Sequence, residues 1–481
     1  MQSRVFNKSD QDIFARLSGD YNPLHTDPVM ARRLIFGKLV VPGVHLLFWG
    51  LNCLLENISE CIVLRKLHVK FLKPVGLDEK VTCQLIVESP EKVSLELRAS
   101  NETTLTAEFE FQRGNHFHYS NEYVPMSVLF DNTGCEVINS ENISKAEGGL
   151  ELALHQETAM KLFSFVAKFI PGLQVAEILA TTRLIGMKCP GLHSVFSGLQ
   201  MEFGNLEPGE SSMQYKVVNY DGRFNLVTVE IDSPRSEGVI TGFLWPIPSV
   251  QSSIEKVQEK VDSTSFSGQV ALIVGGSRGL GEITAKILAA GGAKVYLTYA
   301  TGRQDAEKLV NDLELSGLQA NCFRLDILLD EAELDRIISQ KCHGISHLYY
   351  FCSPYIGSAP KGRFRNEVFM RFCDYYVSGF NKVFKIMVGK GINNFFYPST
   401  VFLSKKPLNM GEYTAAKAAG ESLCSLLSKA VGGINIYSPR LPKLATDQTV
   451  SVIDKRIDSP DAIMLNQLNQ FHKLGRKSIY A

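Results

Sequence analysis

"VALIVGGSRGLGEITAKILAAGGAKVYLTYA", residues 270–300, decides the fold of the second half of this 481-residue chain. Its apolar opening, Val270–Val274, predicts a buried strand, and a second strand is predicted at Lys294–Tyr299 after an intervening helix. Strand, helix and strand in this order begin a doubly wound α/β domain with a parallel sheet. The first turn contains three glycines, which allow a tight bend and the close approach of a pyrophosphate: Gly275, Gly279 and Gly281.

A tyrosine and a lysine follow in "EYTAAKAAGESL", where Tyr413 and Lys417 lie one helical turn apart on the same face of a predicted helix. Upstream, "FFYPSTVF" ends a predicted strand with Ser399 and Thr400. Tyrosine and lysine at this spacing are common in helices, and a structural pair is the alternative interpretation. Their place after the glycine-rich turn favours a catalytic pair.

Together these features resemble the short-chain dehydrogenase/reductase family, a Rossmann-type fold, over residues 265–450. In that family a tyrosine protonates a carbonyl as hydride arrives, a lysine lowers the tyrosine pKa and holds the nicotinamide ribose, and a serine fixes the carbonyl oxygen. By position, the resemblance gives these roles to Tyr413, Lys417 and Thr400, with Ser399 as the alternative to Thr400. It implies a cofactor site formed by ten residues: Gly275, Ser277, Arg278, Gly279, Leu280, Gly281, Arg303, Asp326, Tyr413 and Lys417.

Charge in the second strand predicts which nicotinamide cofactor binds. That strand ends in "YLTYATGR", which has no Asp or Glu to bind a ribose 2′-hydroxyl. Arg278 and Arg303 are instead placed to bind a 2′-phosphate. We therefore expect NADPH as the cofactor.

The sequence departs from the family pattern at three places. Val274 stands where the family has threonine, and "FCSP", residues 351–354, replaces Asn-Asn-Ala-Gly. No asparagine clearly fills the fourth catalytic position, to which Tyr376 and Asn381 are nearest. The departures predict a rerouted proton relay, and a pseudoenzyme is the alternative.

The first half contains "LSGDYNPLHTDPVMA", residues 17–31, in which Asp20, Asn22 and His25 surround Pro23. Proline fixes the turn, which brings the carboxylate and the imidazole to one side. Acid/base work on a single substrate requires such a pair within hydrogen-bond reach. The alternative is a capping aspartate followed by a surface histidine.

This motif, with "FGKLVVPGV" and "VKFLKPV" downstream, resembles the MaoC-like, R-specific enoyl-thioester hydratases and dehydratases over residues 5–112. These are α+β hotdog folds. In that family the Asp and His activate or expel water at C3 of an acyl thioester, the Asn orients the site, and a backbone N–H polarises the thioester carbonyl. The resemblance places these roles on Asp20, His25, Asn22 and the segment 41–43, including Gly43.

An internal repeat predicts a second hotdog. "RRLIFGKLVVPGVHLLF" at residues 32–48 matches "TRLIGMKCPGLHSVF" at residues 182–196, and strand-like stretches follow both copies. The second copy lacks the Asp-x-Asn-Pro-x-His motif, and we expect it to be a degenerate partner that forms a wall of the acyl tunnel. His45 and His193 align in the repeat inside apolar helices, and we interpret both as structural.

Composition limits the remaining function classes. Lys and Arg number 50 and Asp and Glu 50, so the zero net charge argues against a nucleic-acid partner. Ten scattered cysteines without metal-ligand spacing predict a reducing, cytoplasmic location and no metal site. We expect no membrane partner, because no apolar run reaches the roughly 20 residues of a membrane span.

We therefore expect a double hotdog followed by a Rossmann-type domain. The boundaries are predicted at residues 1–115, 116–248 for the degenerate copy, 249–264 for a linker and 265–481 for the reductase. The predicted function is NADPH-dependent 3-ketoacyl-thioester reduction and 3-hydroxyacyl-thioester dehydration in fatty-acid- or polyketide-like biosynthesis, with the acyl group on coenzyme A or a carrier protein. Alternatives are the degradative hydratase and dehydrogenase, or a decayed synthase subunit. We also expect a homodimer.

Overall fold

The computed structural model describes residues 2–114, 127–204, 212–357, 364–449 and 457–479. Described residues up to Ile247 form one compact unit, and those from Pro248 form a second. Across the described ranges, none of the helices combines the length and apolar composition that crossing a bilayer requires.

The first unit is built on one antiparallel sheet of ten strands. The strands are β1 (Gln2–Val5), β2 (Ile62–Phe71), β3 (Lys80–Ser89), β4 (Lys92–Ala99), β5 (Glu102–Arg113), β6 (Glu147–Glu151), β7 (Ser194–Phe203), β8 (Ser212–Asp221), β9 (Leu226–Asp232) and β10 (Ser236–Leu244). Their order across the sheet is β1-β3-β4-β5-β2-β7-β10-β9-β8-β6.

Seven α-helices accompany this sheet in the described residues. They are α1 (Lys8–Ser18), α2 (Pro23–Thr26), α3 (Pro28–Ala31), α4 (Gly43–Ile58), α5 (Gln156–Leu162), α6 (Ser164–Phe169) and α7 (Gly172–Arg183), and π-helical turns at Leu184–Lys188 continue α7. Helix α4 is apolar on nearly every face and contributes eleven buried residues to the core, so it must be wrapped rather than covered on one side.

The two halves of the sheet repeat one arrangement. From edge to centre, the first half has the order β1-β3-β4-β5-β2 and the second half β6-β8-β9-β10-β7. Each strand of the first half therefore has a counterpart at the same position in the second half. The two halves join where β2 pairs with β7. The helix before β2 is α4, and the helix before β7 is α7. A repeat is therefore present in the architecture as well as in the sequence.

The register predicted for the repeat is wrong. Helix α4 begins after Pro42, whose ψ is 137°, and α7 begins after Pro171, whose ψ is 131°. The counterpart of Pro42-Gly43 is therefore Pro171-Gly172, and not the Pro190-Gly191 pair that follows the helix. The sequence comparison aligned the start of α4 with a segment that follows α7. It did so because the side chains of α7 differ from those of α4, whereas the short apolar stretch after α7 resembles it.

His45 and His193 are consequently not equivalent. His45 is fully buried in α4, stacks on Phe14 with ring centroids 4.4 Å apart and contacts Gln11 Oε1 at 3.1 Å. His193 lies outside any helix, in the turn that precedes β7. The prediction that His193 occupies an apolar helix is wrong, although both imidazoles are buried.

A carboxyl group is buried in the second half of the first unit, near Arg235. Glu177 on α7 is fully buried, and its Oε1 accepts a hydrogen bond of 2.9 Å from the backbone N–H of Arg235. Burial raises the pKa of Glu177 from 4.5 to about 7. The folded chain therefore binds a proton here between about pH 4.5 and 7 that the unfolded chain releases.

We predict that Glu177→Gln flattens the pH dependence of stability. Because the folded pKa is raised, the protonated carboxyl favours folding at low pH, and this contribution is lost as pH rises through about 7. Relative to the variant, the wild type should lose up to about 3 kcal/mol of unfolding free energy between pH 5 and pH 8. Denaturant titrations at both pH values measure it. The exposed Glu237→Gln is the matched control, and a variant that keeps the wild-type pH dependence contradicts the account.

The second unit contains a six-stranded parallel sheet and a two-stranded one. The strands are β11 (Val270–Val274), β12 (Lys294–Tyr299), β13 (Ala320–Arg324), β14 (His347–Tyr350), β15 (Asn394–Phe396), β16 (Ser399–Thr400), β17 (Asn435–Tyr437) and β18 (Arg440–Leu441). The larger sheet has the order β13-β12-β11-β14-β15-β17, which is the 3-2-1-4-5-6 order of a Rossmann fold. The predicted parallel sheet is confirmed, and its first two strands have the predicted bounds.

Helices connect these strands. They are α8 (Ile254–Gln258), α9 (Gly279–Ala290), α10 (Arg303–Leu315), α11 (Glu331–Lys341), α12 (Asn366–Cys373), α13 (Phe380–Gly389), α14 (Phe402–Lys405), α15 (Gly411–Ala430) and α16 (Pro460–Ile479), with a π-helical segment, Asp374–Gly379, between α12 and α13.

The predicted linker at residues 249–264 is not a free connector. It contains α8, from which Ile254 and Val257 are buried in the core of the second unit. Val261, just beyond the helix, is buried in the same core. The polar composition of this stretch suggested a linker, but three apolar residues at helical spacing are enough to anchor it.

Candidate active sites

The Asp20 turn follows directly from helix α1. Gly19 ends the helix in the left-handed conformation, with φ of 76°, which redirects the chain. Asn22 then caps the short helix α2, its side chain accepting a 3.0 Å hydrogen bond from the N–H of Leu24, and Pro23 occupies the first helical position. The side chain that caps α2 is thus that of Asn22 rather than Asp20, whose Oδ1 accepts a 3.1 Å hydrogen bond from the N–H of Asn22.

Asp20 and His25 face each other across this turn. Asp20 is 1% exposed, and its Oδ2 lies 3.9 Å from Nε2 of His25. Nδ1 of His25 lies 2.8 Å from the carbonyl oxygen of Val40, which can only accept a hydrogen bond. Nδ1 therefore carries the proton in the neutral ring, and Nε2 is the ring nitrogen left to accept a proton.

The second half of the sheet closes the Asp20 site. Thr182, on α7, donates a 2.6 Å hydrogen bond from its hydroxyl to Oδ2 of Asp20. Asn22 donates from its side-chain amide to the carbonyl oxygen of Gly186 at 2.9 Å. A Cβ added at Gly186 would lie 2.3 Å from Oδ1 of Asp20, so only glycine fits there. The site is therefore composed of both halves.

Residues 41–43 lead into helix α4, and their backbone N–H groups differ in what they can bind. The N–H of Val41 donates to the carbonyl oxygen of Val75 at 2.8 Å, and Pro42 has no N–H. Within residues 41–43 the remaining amide hydrogen is that of Gly43, the first residue of α4, whose N–H has no partner inside the helix. The helix start also places a partial positive charge there.

The glycine-rich turn of the second unit has the shape of a phosphate cradle. Gly275 has φ of 84°, and a Cβ added at Gly281 would lie 2.2 Å from the carbonyl oxygen of Gly275. The turn leads into the 12-residue helix α9, which begins at Gly279 without a side-chain cap. Thr298 on β12 accepts a 3.1 Å hydrogen bond from the N–H of Gly275 and so holds the turn. The backbone therefore fits a pyrophosphate.

The other predicted cofactor residues lie at the carboxyl edge of the parallel sheet. Arg278 precedes α9 and forms an ion pair of 2.5 Å with Asp447. Arg303 begins α10 after β12 and pairs with Glu307 at 2.7 Å. The remaining predicted positions are Ser277 in the turn, Leu280 in the first turn of α9 and Asp326 after β13. Arg278 is thus bound to a carboxylate that the sequence did not indicate.

Tyr413 and Lys417 lie together on α15. Tyr413 makes a hydrogen bond with Thr400, whereas Ser399 donates its hydroxyl proton to Glu421 Oε1 at 2.5 Å. The structure therefore places Thr400, rather than Ser399, beside the tyrosine. Burial raises the pKa of Tyr413 to about 12.

Lys417 is buried, and its ammonium donates a 2.8 Å hydrogen bond to the carbonyl oxygen of Pro398. Its Nζ also lies 4.0 Å from the ring centroid of Tyr376 and 5.0 Å from that of Tyr397. Burial lowers the pKa of Lys417 to about 7. A hydroxyl pair, Thr400 and Tyr413, thus stands beside a lysine that gains or loses its proton near neutral pH.

Comparison with known families matches each unit separately. The family model "MaoC like domain" matches residues 1–108, and "short chain dehydrogenase" matches residues 269–350. The chain joins a MaoC-like domain to a short-chain dehydrogenase domain. Both resemblances predicted from sequence motifs are confirmed, and with them a hotdog in the first unit and a Rossmann-type fold in the second.

Two relatives with short matches are named as reductases. Versicolorin reductase stcU of Emericella nidulans is 33% identical over 89 residues, 18% of this chain and 32% of that protein. Trihydroxynaphthalene reductase PfmaI of Pestalotiopsis fici is 35% identical over 77 residues, 16% of this chain and 26% of that protein. The chain thus matches about a third or less of these two relatives.

Two longer matches have lower identity. NADPH-dependent aldehyde reductase 2, chloroplastic, of Arabidopsis thaliana is 27% identical over 199 residues, 36% of this chain and 72% of that protein. A short chain dehydrogenase from Burkholderia cenocepacia, solved in complex with NADP, is 19% identical with a TM-score of 0.40, covering 44% of this chain and 94% of that one.

Three residues of the sites were not found from the sequence. Thr182 and Asp447 reach their sites from positions more than 150 residues away from Asp20 and Arg278. Thr298 supports the glycine turn from a neighbouring strand. Of the three, only Thr298 could have been found from the sequence. Val274 stands where the family has threonine, and Thr298 lies on the adjacent strand.

Proposed function

We propose that this chain is a bifunctional enzyme that reduces 3-ketoacyl thioesters and dehydrates the resulting 3-hydroxyacyl thioesters. One observation carries the proposal: the first unit holds an Asp–His pair whose nearest charged atoms lie 3.9 Å apart, and the second unit holds a Tyr–Lys pair on one helix, Thr400 bonded to that tyrosine, and a glycine-rich turn that starts a helix. The product of the second chemistry is the substrate of the first. We propose biosynthetic use in a fatty-acid- or polyketide-like sequence, since NADPH, the cofactor expected from the arginines, supplies reduction.

In the dehydratase site, the N–H of Gly43 polarises the thioester carbonyl and so acidifies the C2 proton. Nε2 of His25 accepts that proton, the C3–O bond breaks, and the hydroxyl leaves as water with a proton from the Asp20–His25 pair. The pair ends with the protonation that it had at the start. Asn22 keeps the turn in place through its hydrogen bond to Gly186.

In the reductase site, Thr400 and Tyr413 hold the ketone oxygen, and Tyr413 donates its phenolic proton to that oxygen. A nicotinamide supplies the hydride at C3 when it is bound. The charge of Lys417 lowers the cost of forming the tyrosinate, and the glycine-rich turn would hold the pyrophosphate of the cofactor. Arg278 and Arg303, which pair with Asp447 and Glu307, would bind the 2′-phosphate of NADPH, and the Arabidopsis relative is named for that cofactor.

We propose that the repeated half of the first unit is a second, degenerate hotdog. It supports catalysis by closing the Asp20 site rather than by chemistry of its own. Strand order, the paired helices α4 and α7, and the contacts of Thr182 and Gly186 support this assignment.

Thr182→Val is predicted to lower kcat/KM for enoyl-thioester hydration by about 10- to 100-fold. Valine keeps the volume but removes the hydroxyl that donates to Asp20, and a hydrogen bond to a charged group contributes about 1.5–3 kcal/mol. Steady-state hydration assays measure this. Thr182→Ser retains the donor and should stay near wild type. Equal rates for the valine variant and wild type would mean that Thr182 does not serve the site.

The wild-type chain tests the whole proposal. We expect it to convert 3-ketoacyl thioesters to enoyl thioesters with NADPH in preference to NADH, and parallel assays on coenzyme A and on carrier protein identify the carrier. A preference for NADH and for hydration would instead support the degradative alternative. Inactivity of the purified chain in both reactions would support a decayed synthase subunit. The homodimer remains a prediction, which light scattering can test.

A further inference from the structure

Two departures from the short-chain dehydrogenase pattern contact each other. Ser353 belongs to the "FCSP" segment that replaces Asn-Asn-Ala-Gly, and Tyr376 is one of two residues nearest to the missing fourth catalytic asparagine. Their hydroxyl oxygens lie 2.6 Å apart. Residues that differ from the family pattern in two separate segments thus form one hydrogen bond.

Tyr376 lies against the reactive pair. It is 1% exposed and belongs to the π-helical segment Asp374–Gly379, an irregular helix geometry that often marks functional positions. Nζ of Lys417 lies 4.0 Å from its ring centroid, and the Tyr413 ring meets it edge-on with centroids 5.8 Å apart. The other candidate for the fourth position, Asn381, lies beyond this segment in α13.

Tyr376 is held by two hydrogen bonds, one at its ring hydroxyl and one at its backbone. Its hydroxyl makes the hydrogen bond with Ser353, and its backbone carbonyl accepts a 3.0 Å hydrogen bond from the hydroxyl of Tyr397. The Tyr397 ring in turn lies 5.0 Å from Nζ of Lys417. The ammonium is therefore bordered by two aromatic faces whose orientation the surrounding hydroxyls determine.

Few charged groups near Lys417 stabilise its ammonium, so the aromatic faces contribute a large part of that stabilisation. On its own helix, Glu421 is bound by Arg440 at 2.8 Å, which offsets its charge. Burial raises the pKa of Cys424 to about 12, so its thiol is neutral at physiological pH. From the other elements, Tyr376, Tyr397 and the Pro398 carbonyl face the ammonium, and Tyr413 lies one turn away.

We propose that Tyr376 takes the place of the asparagine as a positioning residue, its ring face holding the Lys417 ammonium in its charged form next to Tyr413. An aromatic face attracts a cation through its quadrupole, and the attraction grows when the pair is desolvated. Ser353 serves by fixing the ring. The proposal rests on the proposed reductase function, because it concerns the lysine of that site.

Titration of Lys417 in the cofactor-free chain tests this without relying on activity. Full-length protein with 13C,15N-labelled lysine is titrated by NMR, and the Lys417 signal is identified by its absence in Lys417→Arg. Tyr376→Leu, which removes the ring, should lower the Lys417 titration midpoint by about one pH unit. Tyr376→Phe, which keeps the ring face and loses only the hydrogen bond to Ser353, should lower the midpoint by less than half as much. Identical midpoints in Tyr376→Leu and wild type overturn the proposal.

The pH profile of reduction is the second readout. Because protonated Lys417 is the active form, loss of the ring should move the alkaline limb of kcat to lower pH by the same amount, whereas Tyr376→Phe should move it by less than half as much. Should Tyr376→Leu fail to fold, Tyr376→Met fills a similar space without an aromatic face and takes its place in both measurements. A wild type that reduces no ketoacyl thioester refutes the proposed function, while the NMR titration still decides the role of Tyr376.

Discussion

Tyr413→Phe is expected to lower 3-ketoacyl-thioester reduction by about 10²- to 10⁴-fold, because the variant has no phenolic proton to give to the ketone oxygen. The ring itself stays in place. Phenylalanine retains the edge contacts with Phe372 and Tyr376, so folding and cofactor binding should be preserved. The loss should therefore appear in kcat, measured as NADPH oxidation, with KM little changed.

Two controls accompany this measurement. Tyr437→Phe removes a hydroxyl that bonds to Gln467 and Gln470 on α16, and it should reduce substrate at the wild-type rate. Hydration of enoyl thioester by the Tyr413→Phe chain should also be normal, since that reaction belongs to the first unit. A variant that retains more than a tenth of the wild-type kcat would remove Tyr413 from the proposed role.

Asp20→Asn is expected to have an effect of similar size on the other reaction. The amide keeps the shape of the side chain and can accept the hydrogen bond from Thr182, but it cannot exchange a proton with His25 and substrate. Enoyl-thioester hydration should fall by about 10²- to 10⁴-fold. Absorbance of the enoyl thioester measures the rate directly.

The matched control is Asp12→Asn, an exposed carboxylate on α1 that pairs with Lys8. It should hydrate enoyl thioester as the wild type does, and Asp20→Asn should keep wild-type reductase activity. If Asp20→Asn lowers both reactions equally, the variant has damaged the fold, and Thr182→Val then becomes the sharper test of the site.

Local sequence was sufficient for the parts of the sites that lie close together in the chain. The Asp20 turn is built from neighbours: a glycine that ends α1, a capping asparagine and a proline at the first position of α2. The strand at 270–274 is apolar throughout because both faces of the parallel sheet are covered. Such features depend on local backbone conformation and burial, and short sequence patterns predict both.

Contacts between distant segments could not be predicted in the same way. Thr182 reaches Asp20 because α7 packs beside the first half of the sheet, and a single threonine in a helix has no signature of its own. The repeat was recognised but misaligned by one helical region, since Pro171-Gly172 begins a helix whose side chains no longer resemble those of α4. Likewise, residues 249–264 are polar on average, yet a few apolar residues anchor them in a core.

The central claim is that both units act on a common intermediate, and stereochemistry tests it most directly. MaoC-like hydratases, which the first unit resembles, act on the R-3-hydroxyacyl thioester, so the reductase must form the same enantiomer. The Asp20→Asn chain, supplied with NADPH and a 3-ketoacyl thioester, should accumulate the alcohol, and chiral chromatography identifies its configuration. We predict the R alcohol; accumulation of the S alcohol would contradict the claim.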